Sequence, residues 1–191
     1  MVNIQMTGAQ MVLKAFEDHQ VDTIFGYPGG AVLPIYDELA KERDTNQPIR
    51  HYLVRHEQGA SHSAEGYARS SGKVGVALVT AAPGFTNSLG PLFAINSNQS
   101  PVLLLSGDSP LSQNGLMSFQ ELNQTKISKE LVKKSWRIED ANLIGKEVTE
   151  AISLTRKGRP GPVHIALPFD ILNESIVKVP SQNTKTSELS Y

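Results

Sequence analysis

Three observations predict an α/β domain built on a doubly wound, mostly parallel six-stranded sheet with helices on both faces. Short β-branched apolar runs alternate with longer segments of helical periodicity along the 191 residues. The runs at 74–80 and 102–106 are apolar almost throughout, as strands covered on both faces tend to be. Glycine- or proline-containing loops follow three of the runs, at Tyr27-Pro28-Gly29-Gly30, at Ala81-Ala82-Pro83-Gly84 and from Gly107 onward.

The elements follow in order. Thr7 is placed to N-cap a first helix, on which Val12, Ala15, Phe16 and His19 recur at the spacing of one buried face. A strand over 21–26 ends in the Tyr27–Gly30 turn, and a helix over 32–42 follows. The second strand is 49–54. The helix after it covers 57–70 and is closed by Gly72 as a left-handed cap. Strand 74–80 leads through Ala81–Gly84 into a helix over 86–96. Strand 102–106 is followed by a long polar loop, 107–123, with a short helix expected near Phe119. A strand at 135–138, a helix over 141–157, the Pro160-Gly161-Pro162 break and a last strand at 163–167 complete the pattern. Residues 1–175 are expected to form the domain, and 176–191 a polar linker or tail. In such sheets ligands bind beyond the carboxyl ends of the strands, where the three loops fall.

Composition excludes several function classes. Lys and Arg number 18 against 19 Asp and Glu, so no phosphate-driven nucleic-acid binder or polybasic membrane-surface protein is expected. There is no cysteine, which removes disulfides, thiolate metal sites and cysteine nucleophiles together. No apolar run approaches the roughly 20 residues that span a bilayer, and the start lacks the pattern of a secretory signal. A soluble cytoplasmic protein is the expectation.

Familiar nucleotide motifs are missing. No Gly-x-Gly-x-x-Gly follows a strand, and Gly66 to Gly72-Lys73 has the wrong spacing and ends a helix rather than opening one. No Gly-x-Ser-x-Gly elbow occurs. His51, His56 and His62 do not share a helix face, so no metal site is expected from them.

One set of blocks is more specific. Phe25-Gly26-Tyr27-Pro28-Gly29-Gly30-Ala31-Val32-Leu33-Pro34-Ile35-Tyr36-Asp37 resembles the first block of acetolactate (acetohydroxyacid) synthase catalytic chains. Arg55-His56-Glu57-Gln58-Gly59-Ala60 resembles the block with that family's catalytic glutamate, and Glu65-Gly66-Tyr67-Ala68-Arg69 continues it. Thr80-Ala81-Ala82-Pro83-Gly84-Phe85-Thr86-Asn87, Phe119-Gln120-Glu121 and Gly158-Arg159-Pro160-Gly161-Pro162-Val163 match later blocks in the same order. The chain therefore resembles the N-terminal, pyrimidine-binding domain of a thiamine diphosphate-dependent enzyme.

The resemblance implies roles. In the family a carboxyl group hydrogen-bonded to the cofactor's pyrimidine favours the imino tautomer that removes the thiazolium proton. Glu57 matches that position, although taken alone it reads better as a first-turn glutamate complementing a helix dipole. Gly30 and Gln120 match positions beside the reacting carbon and the reaction intermediate, which makes Glu57, Gln120 and Gly30 the catalytic candidates. Tyr27, Pro28, Gly29, Glu57, Thr80, Pro83 and Asn87 are the cofactor-binding candidates. Gly29 also reads as a plain tight turn, Asn87 as a helix cap, and His56 as structural. Ala81-Ala82 stands where the family usually has Ser-Gly, and the wording there and at Pro168-Phe169-Asp170 is closer to benzaldehyde-lyase-type carboligases.

In the family the diphosphate and its magnesium are held by a C-terminal domain marked by Gly-Asp-Gly and Asn-Asn. Here Gly107-Asp108 is followed by Ser109, and no Asn-Asn pair occurs. The resemblance thus implies thiamine diphosphate and magnesium as cofactors, with the magnesium ligands on a separate diphosphate-binding domain or subunit. Flavin (FAD) belongs to the middle domain of acetolactate synthases and is left open for a complete enzyme. A homo-oligomer is implied when complete, acting on a 2-oxo acid such as pyruvate, with the isolated domain inactive. The alternatives are a lyase-type carboligase of the same family, a non-catalytic regulatory or assembly module, and a generic nucleotide-binding domain.

Overall fold

The six strands that reading placed share one all-parallel sheet, ordered β3-β2-β4-β5-β7-β6. The computed structural model describes residues 5–42 and 49–177. The sheet strands are β2 (Thr23–Gly26), β3 (Arg50–Leu53), β4 (Gly75–Val79), β5 (Val102–Asp108), β6 (Lys134–Arg137) and β7 (Val163–Pro168). Alternation along the strands sorts their side chains into two cores. Val76, Leu78, Leu103, Leu105, Ile165 and Leu167 face one side, where α1 (Gly8–Asp18), α2 (Leu33–Glu42) and α7 (Ile144–Arg156) pack. Ala77, Val79, Val102 and Leu104 face the other, covered by α3 (Glu57–Ser71), α4 (Pro83–Asn87) and α5 (Leu89–Ser97).

Helix ends follow the local chemistry. Thr7 and Gln10 form a capping box on α1: the Gln10 amide N–H donates to Thr7 Oγ1 at 3.2 Å, and the Thr7 N–H donates to Gln10 Oε1 at 2.9 Å. Ala60, Ala64 and Ala68 line the inner stripe of α3. Their small size brings the helix so close to β4 that a Cβ on Gly75 would collide with the Ala64 backbone. Gly72 ends α3 at φ 72°, in the left-handed region where glycine carries no Cβ penalty.

Several elements differ from expectation. His19 is exposed and serves as the C-cap of α1, since the helix ends before the buried stripe reaches it. The helix expected over 86–96 starts at Pro83 and breaks into α4 and α5 at Ser88, whose buried hydroxyl donates to Gly84 O at 3.1 Å. Strand β5 continues through Gly107 and Asp108, because both pair with β7. No helix forms at Phe119; a short α6 (Gln124–Ser128) follows instead, capped by Asn123. Two unforeseen strands, β1 (Gln5–Thr7) and β8 (Ser175–Val177), pair antiparallel, with α8 (Phe169–Asn173) just before β8. Strand β8 runs across the 175/176 position and buries Ile176, while the tail beyond 177 lies outside the described residues. Among the described residues no helix is long and apolar enough to cross a membrane.

Candidate functional site

The carboxyl ends of β2, β3, β4 and β5 bring the sequence-selected residues to one edge of the sheet. Glu57 is the first residue of α3, directly after β3, and is only 9% exposed. His56 beside it is the N-cap: its ring Nδ1 accepts from the Gln58 N–H at 3.2 Å, which is a structural role. The Asn87 side-chain amide, at the end of α4, donates to Glu57 Oε2 at 2.9 Å. Glu65, two turns further along α3, is also buried but is occupied by Asn98 and Ser100 at 2.8 and 3.2 Å. Glu57 is therefore the buried carboxylate of α3 that stands at the strand ends.

Gly84 and Thr80 close the space around it. A Cβ on Gly84 would lie 2.8 Å from Thr80 Cγ2 and 3.3 Å from Glu57 Oε1. Gly29 packs against the same threonine: a Cβ there would lie 2.5 Å from Thr80 Oγ1 and still closer to Thr80 Cβ. Thr80 Oγ1 is buried and has no hydrogen-bond partner among the described residues. The turn into α4 is strained, since Ala82 sits at φ 43°, a conformation that costs a residue with a Cβ of order 1 kcal/mol or more.

A cleft of ≈ 260 Å³ opens next to this group. Gly30, Ala31 and Ala81 line one part of it, and Phe119, Gln120 and Phe169 another. A Cβ at Gly30 would meet nothing within 4 Å, so the space above that backbone is open. Gln120 is half-buried on a left-handed turn (φ 60°), and Phe119 beside it is 86% exposed. Glu57 does not line this cleft. The two groups meet through consecutive residues, with Gly29 and Thr80 on the carboxylate side and Gly30 and Ala81 on the cleft side. Tyr27, Pro28 and Pro83 are exposed and do not line the cleft, and none of the three shares a polar side-chain contact with Glu57.

The cleft wall also holds a charge that the sequence pattern did not single out. Asp108, the last residue of β5, is 1% exposed and borders the cavity. Arg137 Nε lies 3.0 Å from its Oδ2. Burial raises the Asp108 carboxyl above its ordinary value, with the Arg137 charge pulling the other way. The available signal was an acid ending a run of apolar strand residues. Its partner lies 29 positions away (137 minus 108) and could not be matched by spacing. Elsewhere, His164 is fully buried beneath Phe85 of α4, with ring centroids 4.8 Å apart, and is bonded to Ser106, Ser135 and Ser128. Among the described residues no three His, Asp or Glu side chains gather as a metal site.

Residues 6–127 match the family described as "Thiamine pyrophosphate enzyme, N-terminal TPP binding domain". The chain is 42% identical over 187 residues to an acetolactate synthase of Arthrospira platensis, covering 98% of this chain and 32% of that protein. It is 43% identical over 180 residues to the acetolactate synthase large subunit of Lactococcus lactis subsp. lactis, covering 93% of this chain and 30% of that one. It is 44% identical over 168 residues to the acetolactate synthase isozyme 3 large subunit of Escherichia coli, covering 88% and 29%. The chain thus spans under a third of the length of these relatives.

Proposed function

From a chain that belongs to the thiamine pyrophosphate enzyme family, as an N-terminal TPP binding domain, we propose the pyrimidine-side half of an acetolactate-synthase-like active site. The complete enzyme decarboxylates a 2-oxo acid such as pyruvate and joins the remaining two-carbon unit to a second carbonyl compound. Bound thiamine diphosphate supplies the carbon nucleophile, which no side chain of this cysteine-free domain could replace.

The residues fit a flat nitrogen heterocycle. Glu57 offers a buried carboxylate whose Oε2 is held by Asn87, which leaves Oε1 to bond a ring nitrogen and exchange its proton. Thr80 Oγ1 is a second buried polar atom with no partner among the described residues. Gly29 packs on Thr80, and Tyr27, Pro28 and Pro83 are proposed as further cofactor contacts. Across the turn, Gly30 leaves its flank open for the reacting carbon, and Gln120 donates to an oxygen of the bound substrate. Magnesium ligands come from a diphosphate-binding domain on the rest of the enzyme, in an oligomer.

The observation that carries this reading is the buried Glu57 carboxylate, held by Asn87, at the carboxyl end of a parallel sheet. The test is product analysis of the complete enzyme with thiamine diphosphate and magnesium. Carbon dioxide release from pyruvate with formation of acetolactate is the expected result. Aldehyde–aldehyde ligation without carbon dioxide release would favour the lyase-type carboligase, to which Ala81-Ala82 points. No turnover of either kind would refute both and favour an assembly module. Residues 1–191 alone bind the cofactor weakly, because they offer only one side of its site. Nanomolar affinity of the isolated chain by isothermal titration contradicts that division.

A further inference from the structure

Asp108 is a buried acid in the wall of a cleft meant, on the function proposed above, for an anionic substrate. Its Oδ1 accepts the Ser109 N–H at 2.8 Å, and its Oδ2 faces Arg137 Nε at 3.0 Å. Arg137 reaches it from outside the cavity. It ends β6, is separated from β5 by β7, and does not line the cleft that Asp108 borders. Its other polar contacts are long, at 3.4 and 3.5 Å to Asn114 Oδ1. The neighbouring acid, Glu121, is turned to the backbone N–H groups of Gly115 and Ser118. A negative charge therefore sits at the cavity and its counter-charge behind it.

Resting on the proposed function, we propose that the Asp108–Arg137 pair sets the charge preference of the cleft. Arg137 neutralises Asp108, so that a carboxylate-bearing 2-oxo acid can enter. Without the guanidinium, Asp108 repels a second carboxylate as long as it stays ionised. Stability alone is a weak reason for such a pair, because apolar residues of similar volume do as well or better. Arg137 acts through Asp108 and is a positioning residue, so its signature is a split between charged and neutral ligands.

The test is isothermal titration of the complete enzyme with oxamate, an unreactive anion of 2-oxo-acid shape, and with uncharged oxamide. In Arg137→Met, oxamate binding weakens at least about tenfold, the factor that roughly 1.4 kcal/mol of repulsion produces, while oxamide binding is unchanged. The double change Asp108→Asn with Arg137→Met restores oxamate binding. Equal loss of both ligands, retained oxamate affinity in the single variant, or failure of the double variant to restore it overturns the proposal. Should Arg137→Met not fold, Asp108→Asn alone decides: it tightens oxamate, and unchanged oxamate affinity overturns the proposal. A wild-type enzyme that binds thiamine diphosphate but not oxamate also overturns it, leaving the proposed function standing. Failure to bind thiamine diphosphate sinks both.

Discussion

His164 makes the stability of this domain depend on pH between about 3 and 6.5. The ring is fully buried, between Ser106 Oγ at 2.8 Å on Nε2 and Ser135 and Ser128 Oγ at 2.8 and 3.2 Å on Nδ1. Burial lowers its pKa from 6.5 to about 3. Between those values the unfolded chain binds a proton that the folded chain refuses. Stability therefore rises with pH there, by up to about 1.4 kcal/mol per unit. Going from pH 7 to pH 5, this one group removes about 2 kcal/mol. His51, whose pKa burial also lowers, adds in the same direction. His164→Gln keeps a donor and an acceptor for the serine hydroxyls but cannot titrate. Urea unfolding at pH 7 and pH 5 should show a loss about 2 kcal/mol smaller in the variant than in the wild type. Equal losses in the two proteins would refute the assignment of the slope to His164.

Three further outcomes follow from the strand-end packing. Gly29→Ala forces the turn away from Thr80 and costs about 1–3 kcal/mol in a thermal melt. Thr80→Ala does not rescue it, because the overlap includes Thr80 Cβ, whereas Thr80→Gly does; rescue by alanine would show that the crowding lies elsewhere. Ala82→Gly relieves the φ of 43° and raises stability by about 1 kcal/mol, and an unchanged or lower melting temperature would contradict the strain. Asn87→Ala lowers the melting temperature modestly, because it takes the donor from Oε2 of the buried Glu57. It weakens thiamine diphosphate binding to the complete enzyme by about ten- to a hundredfold, the roughly 1.5–3 kcal/mol of a charge-assisted hydrogen bond at Glu57; undiminished affinity would remove Asn87 from the site.

The sheet was legible because its strands β4, β5 and β7 are buried on both faces. The apolar runs leading into Thr80 and Ser106 carry the signal by themselves. The β1–β8 pair was not, since three-residue strands such as Gln5–Thr7 hold too little alternation to register and their pairing joins the two ends of the domain. The break at Ser88 was hidden because the deciding contact, a hydroxyl on the Gly84 carbonyl, is tertiary detail rather than periodicity. At the site, the motif blocks located Glu57 and Asn87, but only the fold shows that 30 residues apart in sequence becomes 2.9 Å in space. Gly29 and Gly30 looked alike in the sequence and turn out different: one is small because Thr80 crowds it, and the other faces open space. The Asp108–Arg137 pair depends on strand order, with β7 inserted between β5 and β6, and no spacing rule would have found it.

The central claim is that Glu57 activates thiamine diphosphate through a hydrogen bond to its pyrimidine. The direct measurement is hydrogen–deuterium exchange at the cofactor's C2 position in the complete enzyme, followed by quenched-flow NMR. Exchange that is fast in the wild type and at least about a hundredfold slower in Glu57→Gln is the predicted result, in line with the 10²–10⁴-fold typical of a positioned acid or base. Wild-type exchange rates in Glu57→Gln, with the cofactor still bound, would contradict it.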